Sequence, residues 1–330
     1  MPILCLYVGL SETSFLLVNS AEDVKYYSVP YSYSKNSSSS DFNQFYKDIT
    51  GKLKIPMENV ELLVTGFLEP PKFDANIKFS LSLCEIIDQN HIFANYFSVI
   101  YKGNVYSQFD LNNLNLNEKV DRNSDPQNIN LYSNLSEYSF IKPSEGAETA
   151  LLDLLIRNRS IDILKSVNNI VICGDRFNLN RFLWPQDYIL AFDLIKSTGF
   201  FNFKIDYKNC TPLIQLLRKY SFDTYHSIEV DSFVSGSILK SPGKTECLLN
   251  YETEKPKIIE VEEGGIFIVP IDQNGDVNVV VKNEFMNSFE FEVPESDIGL
   301  VIDTRDSNKT YSPARIKDWE NRVLEGLRKF

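Results

Sequence analysis

Four short stretches carry residue types that could do chemistry. The first is Gly9-Leu10-Ser11-Glu12-Thr13, set between two apolar runs. Backbone N–H groups and hydroxyls in such a turn can cradle a phosphate, which makes Gly9, Ser11 and Thr13 candidate ligands. The plain alternative is a structural hairpin turn. The second is Cys173-Gly174-Asp175-Arg176. A glycine after a buried strand lets a ligand approach the backbone, so Gly174 is a candidate; the alternative is a simple strand exit. The third, Asp272-Gln273-Asn274-Gly275-Asp276, looks like a calcium loop only at first. An EF-hand needs glycine at its sixth position and glutamate at its twelfth, where this chain has Val277 and Asn283, so a hairpin is expected. The fourth is Asp303-Thr304-Arg305, an acid and a guanidinium at the end of an apolar run. They could hold a ligand, pair with each other, or cap the last helix.

Other chemistries fail on counting. With only two histidines, His91 and His226, and no G-x-S-x-G, a Ser/His or Cys/His system has little to build on. There is no Walker A and no G-x-G-x-x-G. The five cysteines are widely spaced and form no C-x-x-C pair, and four of them sit in or beside apolar runs. They read as reduced core thiols, with no zinc site and no other metal expected.

Composition narrows the partners. The chain has 330 residues, 43% hydrophobic and 24% charged, with net charge -12. That is long enough for two or three cored domains. The acidic balance argues against nucleic acid or an anionic membrane surface, both of which select clustered Lys and Arg. No targeting segment and no 18-residue apolar stretch is visible, so a cytoplasmic location and no membrane insertion are expected.

The elements that would position these residues follow from periodicity. Residues 2–9, 14–19, 24–29 and 60–66 read as strands, with a helix from Ser40 or Asp41 to about Leu53, giving a β-β-β-α-β order. Its apolar face would hold Phe42, Phe45, Tyr46, Ile49 and Leu53. Residues 77–87 are ambiguous, and Ile92–Tyr101 reads as one strand. Residues 103–143 are Asn-rich and read as an insertion. Residues 144–227 alternate helix and strand, as in an α/β layer: a helix at Ser144, a strand at Val167–Gly174, a helix after Pro185, a strand at Phe201–Asp206 and a helix at Leu213. Seven short runs between 228 and 305 predict a β-rich domain, sandwich or barrel-like. Pro313 opens a terminal helix to Leu327, with Ile316, Trp319, Val323 and Leu327 on one face.

Several of these runs resemble the C-terminal region of the accessory protein glutamate mutase L and its uncharacterised bacterial relatives. The matching pieces are Gly236-Ser237-Ile238-Leu239-Lys240-Ser241-Pro242-Gly243, Gly265–Ile271 and Gly299-Leu300-Val301-Ile302-Asp303-Thr304-Arg305, followed by Ser312-Pro313, Trp319 and Leu324. The resemblance covers roughly residues 168–330 and, more weakly, 1–66. It implies an actin-like (ribonuclease H-like) α/β core and ATP-dependent chaperoning or reactivation of a cobalamin enzyme. Two expected positions depart: Tyr7 stands where the first phosphate hairpin carries aspartate, and Asp175 replaces a second glycine in the adenosine turn. A tyrosine is no substitute for a carboxylate in holding Mg²⁺.

The expectation is therefore a first actin-like lobe over 1–102, an insertion over 103–143, a second α/β lobe over 144–227, a β-rich domain over 228–305 and a C-terminal helix over 306–330. The expected function is that of a non-catalytic binding or scaffold protein acting on a protein partner. The alternative is a nucleotide-dependent chaperone or reactivating ATPase of the glutamate mutase L type, using ATP with Mg²⁺.

Overall fold

The computed structural model describes residues 2–9, 13–29, 39–53, 60–66, 76–88, 90–94, 99–101, 104–106, 169–174, 177, 185–195, 198–221, 225–228, 230–251, 255–271, 276–283, 286–306 and 311–327. In chain order the first half holds β1 (Ile3–Val8), β2 (Thr13–Val18), β3 (Val24–Val29), α1 (Ser39–Leu53), β4 (Glu61–Gly66), β5 (Ile77–Ser82), α2 (Leu83–Ile86), β6 (His91–Ala94), β7 (Val99–Tyr101) and β8 (Asn104–Tyr106). Then come β9 (Asn169–Cys173), α3 (Pro185–Leu194), β10 (Gly199–Asp206), α4 (Thr211–Tyr220) and β11 (Phe233–Lys240). The rest is β12 (Thr245–Asn250), β13 (Lys257–Val261), β14 (Ile266–Val269), β15 (Val277–Asn283), β16 (Met286–Val293), β17 (Leu300–Asp303) and α5 (Pro313–Leu327).

The chain divides into two compact units, each discontinuous in sequence. The first is Met1–Leu151, Cys173–Asn178 and Lys208–Ser232; the second is Leu152–Ile172, Leu179–Tyr207 and Phe233–Phe330. Most of the Asn-rich stretch and the helix expected at Ser144 lie outside the described residues.

In the first unit the β-β-β-α-β order makes a five-stranded sheet, β3-β2-β1-β4-β5. β1 runs antiparallel to β2 and parallel to β4; β2 pairs antiparallel with β3, and β4 parallel with β5. β1 is apolar throughout because both faces of the sheet are covered. One face buries Leu4, Leu6, Val8, Phe15, Leu17, Leu62 and Val64 under Tyr46 and Ile49 of α1. The other buries Ile3, Cys5, Tyr7, Leu16, Val18 and Leu63 with Leu213, Leu216 and Leu217 of α4. Alternation along each strand sends neighbours to opposite faces, so one uninterrupted apolar run serves two cores. The side chains of Phe42 and Leu53, expected on the face of α1, are outside the described residues.

One expectation is corrected here. Ile92–Tyr101 is not a single strand: β6 and β7 pair antiparallel, Phe93 opposite Ile100. An apolar run of that length cannot be told by periodicity from two short strands folded back on each other.

In the second unit one sheet runs β14-β17-β11-β10-β9. β17 pairs parallel with β11 and antiparallel with β14, while β10 pairs antiparallel with β11 and parallel with β9. The seven runs read between 228 and 305 are all strands, but they do not share one sheet. β11, β14 and β17 join the sheet of β9 and β10, and the other four form an antiparallel sheet, β13-β12-β15-β16. Residues from both sheets meet in a common core that includes Leu239, Leu300, Ile302, Cys247, Leu249, Val279 and Val281. α5 packs on β14 and against α3, with Ile316, Trp319 and Val323 buried.

Candidate functional site

The first candidate lies at the carboxyl ends of the parallel strands β1 and β4. The chain order reverses between these two strands, since β1 continues to β2 on one side and β4 to β5 on the other. In open α/β sheets that is where ligands bind. Gly9 follows β1 and is buried. Thr13 opens β2, fully buried, opposite Val8. Ser11 is outside the described residues. Gly174 follows β9 with φ 124, a conformation essentially reserved for glycine, and its carbonyl accepts the Phe177 N–H at 2.9 Å. Beside it the Cys173 thiol donates to the Ile92 carbonyl at 3.6 Å. Gly9, Thr13 and Gly174 thus belong to one unit.

The row just inside this strand end is made of aromatic and hydroxyl groups. Tyr7 lies in register with Ser14 of β2 and Thr65 of β4. Tyr7 is fully buried and meets Phe93 edge to face, ring centres 5.9 Å apart. The Tyr26 hydroxyl donates to the Lys208 carbonyl and lies 3.3 Å from Ser14 Oγ. Thr65 Oγ1 is buried with no hydrogen-bond partner among the described residues. Such a row can exchange hydrogen bonds with ligand oxygens, but it supplies no hard anionic ligand for Mg²⁺. Among the described residues no three His, Cys, Asp or Glu converge so as to hold a metal ion. Sequence reasoning missed Ser14, Tyr26 and Thr65. Only the strand register brings Ser14 and Thr65 into line with Tyr7.

Farther along this unit His91 is 9% exposed, with Nε2 3.4 Å from Gln215 Nε2 of α4 and Nδ1 unpartnered among the described residues. Burial pushes its pKa down to about 4; Asp88 opposes that shift and Arg218 adds to it. The imidazole is therefore neutral at pH 7 and is held as a core group.

The second candidate, Asp303 with Arg305, belongs to the second unit. Asp303 closes β17, and a residue two further on returns to the same side of an extended chain. Arg305 Nε donates to Asp303 Oδ1 at 2.8 Å and a terminal guanidinium nitrogen to Oδ2 at 2.7 Å, a bidentate fork. Lys240 stands opposite Asp303 across the β11–β17 ladder and reaches Oδ2 at 2.5 Å. Asp193 of α3 takes a second contact from Arg305 at 2.8 Å. The guanidinium lies 4.8 Å from the Trp319 ring centre, and Trp319 Nε1 donates to the Gly264 carbonyl at 2.9 Å.

Burial alone would raise the Asp303 pKa; Arg305 and Lys240 outweigh it and hold the carboxyl well below the usual carboxylate range. Burial likewise opposes the charge on Arg305, and Asp193 with Asp303 outweighs that penalty and raises its pKa. Two acids thus balance two bases. Neither Asp303 nor Arg305 is poised to exchange a proton near neutrality. The arrangement ties β17, β11, α3 and α5 together.

No protein-family model matches the chain, and no curated protein matches it. Among solved structures it is similar to the activator of the 2-hydroxyisocaproyl-CoA dehydratase from Clostridium difficile with bound ADPNP. The identity is 13% and the TM-score 0.37, over 68% of this chain and 96% of that one. It is also similar to component A of the (R)-2-hydroxyglutaryl-CoA dehydratase of Acidaminococcus fermentans, at 10% identity and TM-score 0.37, over 69% of this chain and all of that one. Likeness of this degree assigns neither a ligand nor a residue role.

Proposed function

We propose that the chain is a non-catalytic binding or scaffold protein whose first unit keeps an actin-like lobe without its phosphate chemistry, and that it acts on a protein partner. The observation that carries this reading is Tyr7. It stands two residues before Gly9, where the resemblance implies an aspartate, and its ring is fully buried against Phe93. A side chain committed to the core cannot swing out to hold a hydrated cation, and its phenol is a poor ligand for one. The sheet order β3-β2-β1-β4-β5 supports the lobe assignment. The pairing of Asp303 with Arg305 supports a structural role for the second candidate pair.

One observation favours the alternative of a nucleotide-dependent chaperone or reactivating ATPase. Thr65 Oγ1 is buried and unpartnered in line with Tyr7, at the switch point of the sheet. A ligand oxygen would satisfy it. Phosphate release from Mg-ATP separates the two readings. The scaffold reading expects no turnover above a protein-free blank; sustained turnover by the full chain, abolished by Thr65→Val, would establish the alternative.

A further inference from the structure

The sheet β13-β12-β15-β16 has one face in the core and one outside. Cys247, Leu249, Val277, Val279 and Val281 point inward with Val293. Their alternating neighbours therefore share the outer face. On that face Ile258 of β13 lies opposite Leu248 of β12, and Leu248 opposite Val280 of β15. These three aliphatics form a stripe across the strands. Ile258 is 65% exposed, and Leu248 and Val280 are half-buried. The stripe ends at Glu290, which is opposite Val280. One flank carries Glu246 and Glu260 in register, with Lys282 beyond. The other carries Glu292, opposite Asn278. Two lysines answer part of this charge. Lys282 pairs with Glu246 at 3.2 Å, and Lys244 with Glu260 and Glu262 at 3.2 and 3.1 Å. Five glutamates against two lysines leave the face acidic.

We infer that this face docks a basic amphipathic helix of a partner protein, an inference that rests on the reading that the chain works through a protein partner. The stripe spans two strand spacings, about 10 Å. That is the rise of about seven helical residues, so apolar side chains at i, i+4 and i+7 of one helix would cover Ile258, Leu248 and Val280. Lys or Arg on both sides of that helical stripe would meet Glu246 and Glu260 on one flank and Glu292 on the other. Charge excludes a second copy of the chain as the occupant. The same face would set glutamates against glutamates, on molecules that each carry net charge -12.

The probe is a fluorescein-labelled Leu/Lys peptide with leucines at that helical spacing, titrated into the full chain and followed by anisotropy. A Leu/Glu peptide of the same pattern is the control. The Leu/Lys peptide is expected to bind, to weaken with added salt, and to lose about tenfold or more in affinity with Ile258→Ser or with Glu290→Lys/Glu292→Lys. Glu22→Lys/Asp48→Lys on the first unit should leave binding unchanged. Equal affinity in the face variants, equal binding of the Leu/Glu peptide, or no binding would each overturn the inference. A photo-crosslinking residue at position 258 and another at exposed position 22 separate this from the broader reading. In cell extract, adducts formed at 22 but not at 258 overturn the docking face and leave a protein partner standing. Absence of adducts at either position counts against both.

Discussion

At the scale of single residues the second unit is held by a charge set with no slack. Arg305 serves the buried Asp303 and the half-buried Asp193, so Arg305→Met would strand Asp193 and leave Lys240 as the remaining charge partner of Asp303 among the described residues, beside the backbone N–H of residue 305. Breaking such a set by removing one partner costs about 3–5 kcal/mol. The midpoint of urea unfolding should fall accordingly. Arg305→Lys should restore only part of the loss, because an ammonium cannot form the two-pronged contact; a full recovery would mean that charge alone matters. Two titrations set the acid response. The folded-state pKa of His91 lies at about 4, below its unfolded value of about 6.5. The unfolded chain therefore binds the proton first, and stability falls as pH drops from about 6.5 to 4, by up to about 3 kcal/mol. Asp303 is depressed, so its contribution is present above the unfolded carboxylate value of about 3.9 and is lost as pH falls below it. His91→Gln should flatten the stability curve between pH 6.5 and 4 and leave the loss at lower pH in place. A curve unchanged in shape would show that another group governs the first decline.

At the scale of elements, β17 is entered through Gly299 at φ 77, where a Cβ would stand 2.3 Å from the Val269 carbonyl oxygen. Gly299→Ala must both hold a left-handed backbone and push β14 away. A loss of about 2–4 kcal/mol is expected from the sum of those two penalties. Thermal unfolding of the variant checks this, and an unchanged midpoint would mean the turn relaxes freely. Strands and helices of this kind were legible because their signals are local. Pro313 opens α5 and its Trp319 face is buried, and the seven runs after residue 228 are seven strands. Which strands pair was not legible. Lys240 and Asp303 lie 63 positions apart and meet only because β11 and β17 run parallel in one register. The β6–β7 hairpin was read as one strand because both halves are apolar. At the candidate site the glycines Gly9 and Gly174 could be picked out by type. Thr65 and Ser14 could not, since a hydroxyl gains meaning there only from its neighbours across the sheet.

At the scale of the whole molecule, the chain combines two compact units, each with its own buried core. Near the carboxyl end of β1 the buried Tyr7 ring meets Phe93 edge to face. The acid and guanidinium at the end of β17 satisfy each other. Among the described residues no helix is long and apolar enough to cross a membrane. A thermal unfolding titration of the full chain with Mg-ATP and Mg-ADP tests whether the first unit keeps an actin-like lobe without nucleotide chemistry. A nucleotide at a hundredfold over its dissociation constant would add about 2.7 kcal/mol, a rise of several degrees for units of this size. No rise is expected at millimolar nucleotide. A saturating rise with either nucleotide, abolished by Thr65→Val, would contradict this expectation and place a working nucleotide site at the end of β1 and β4.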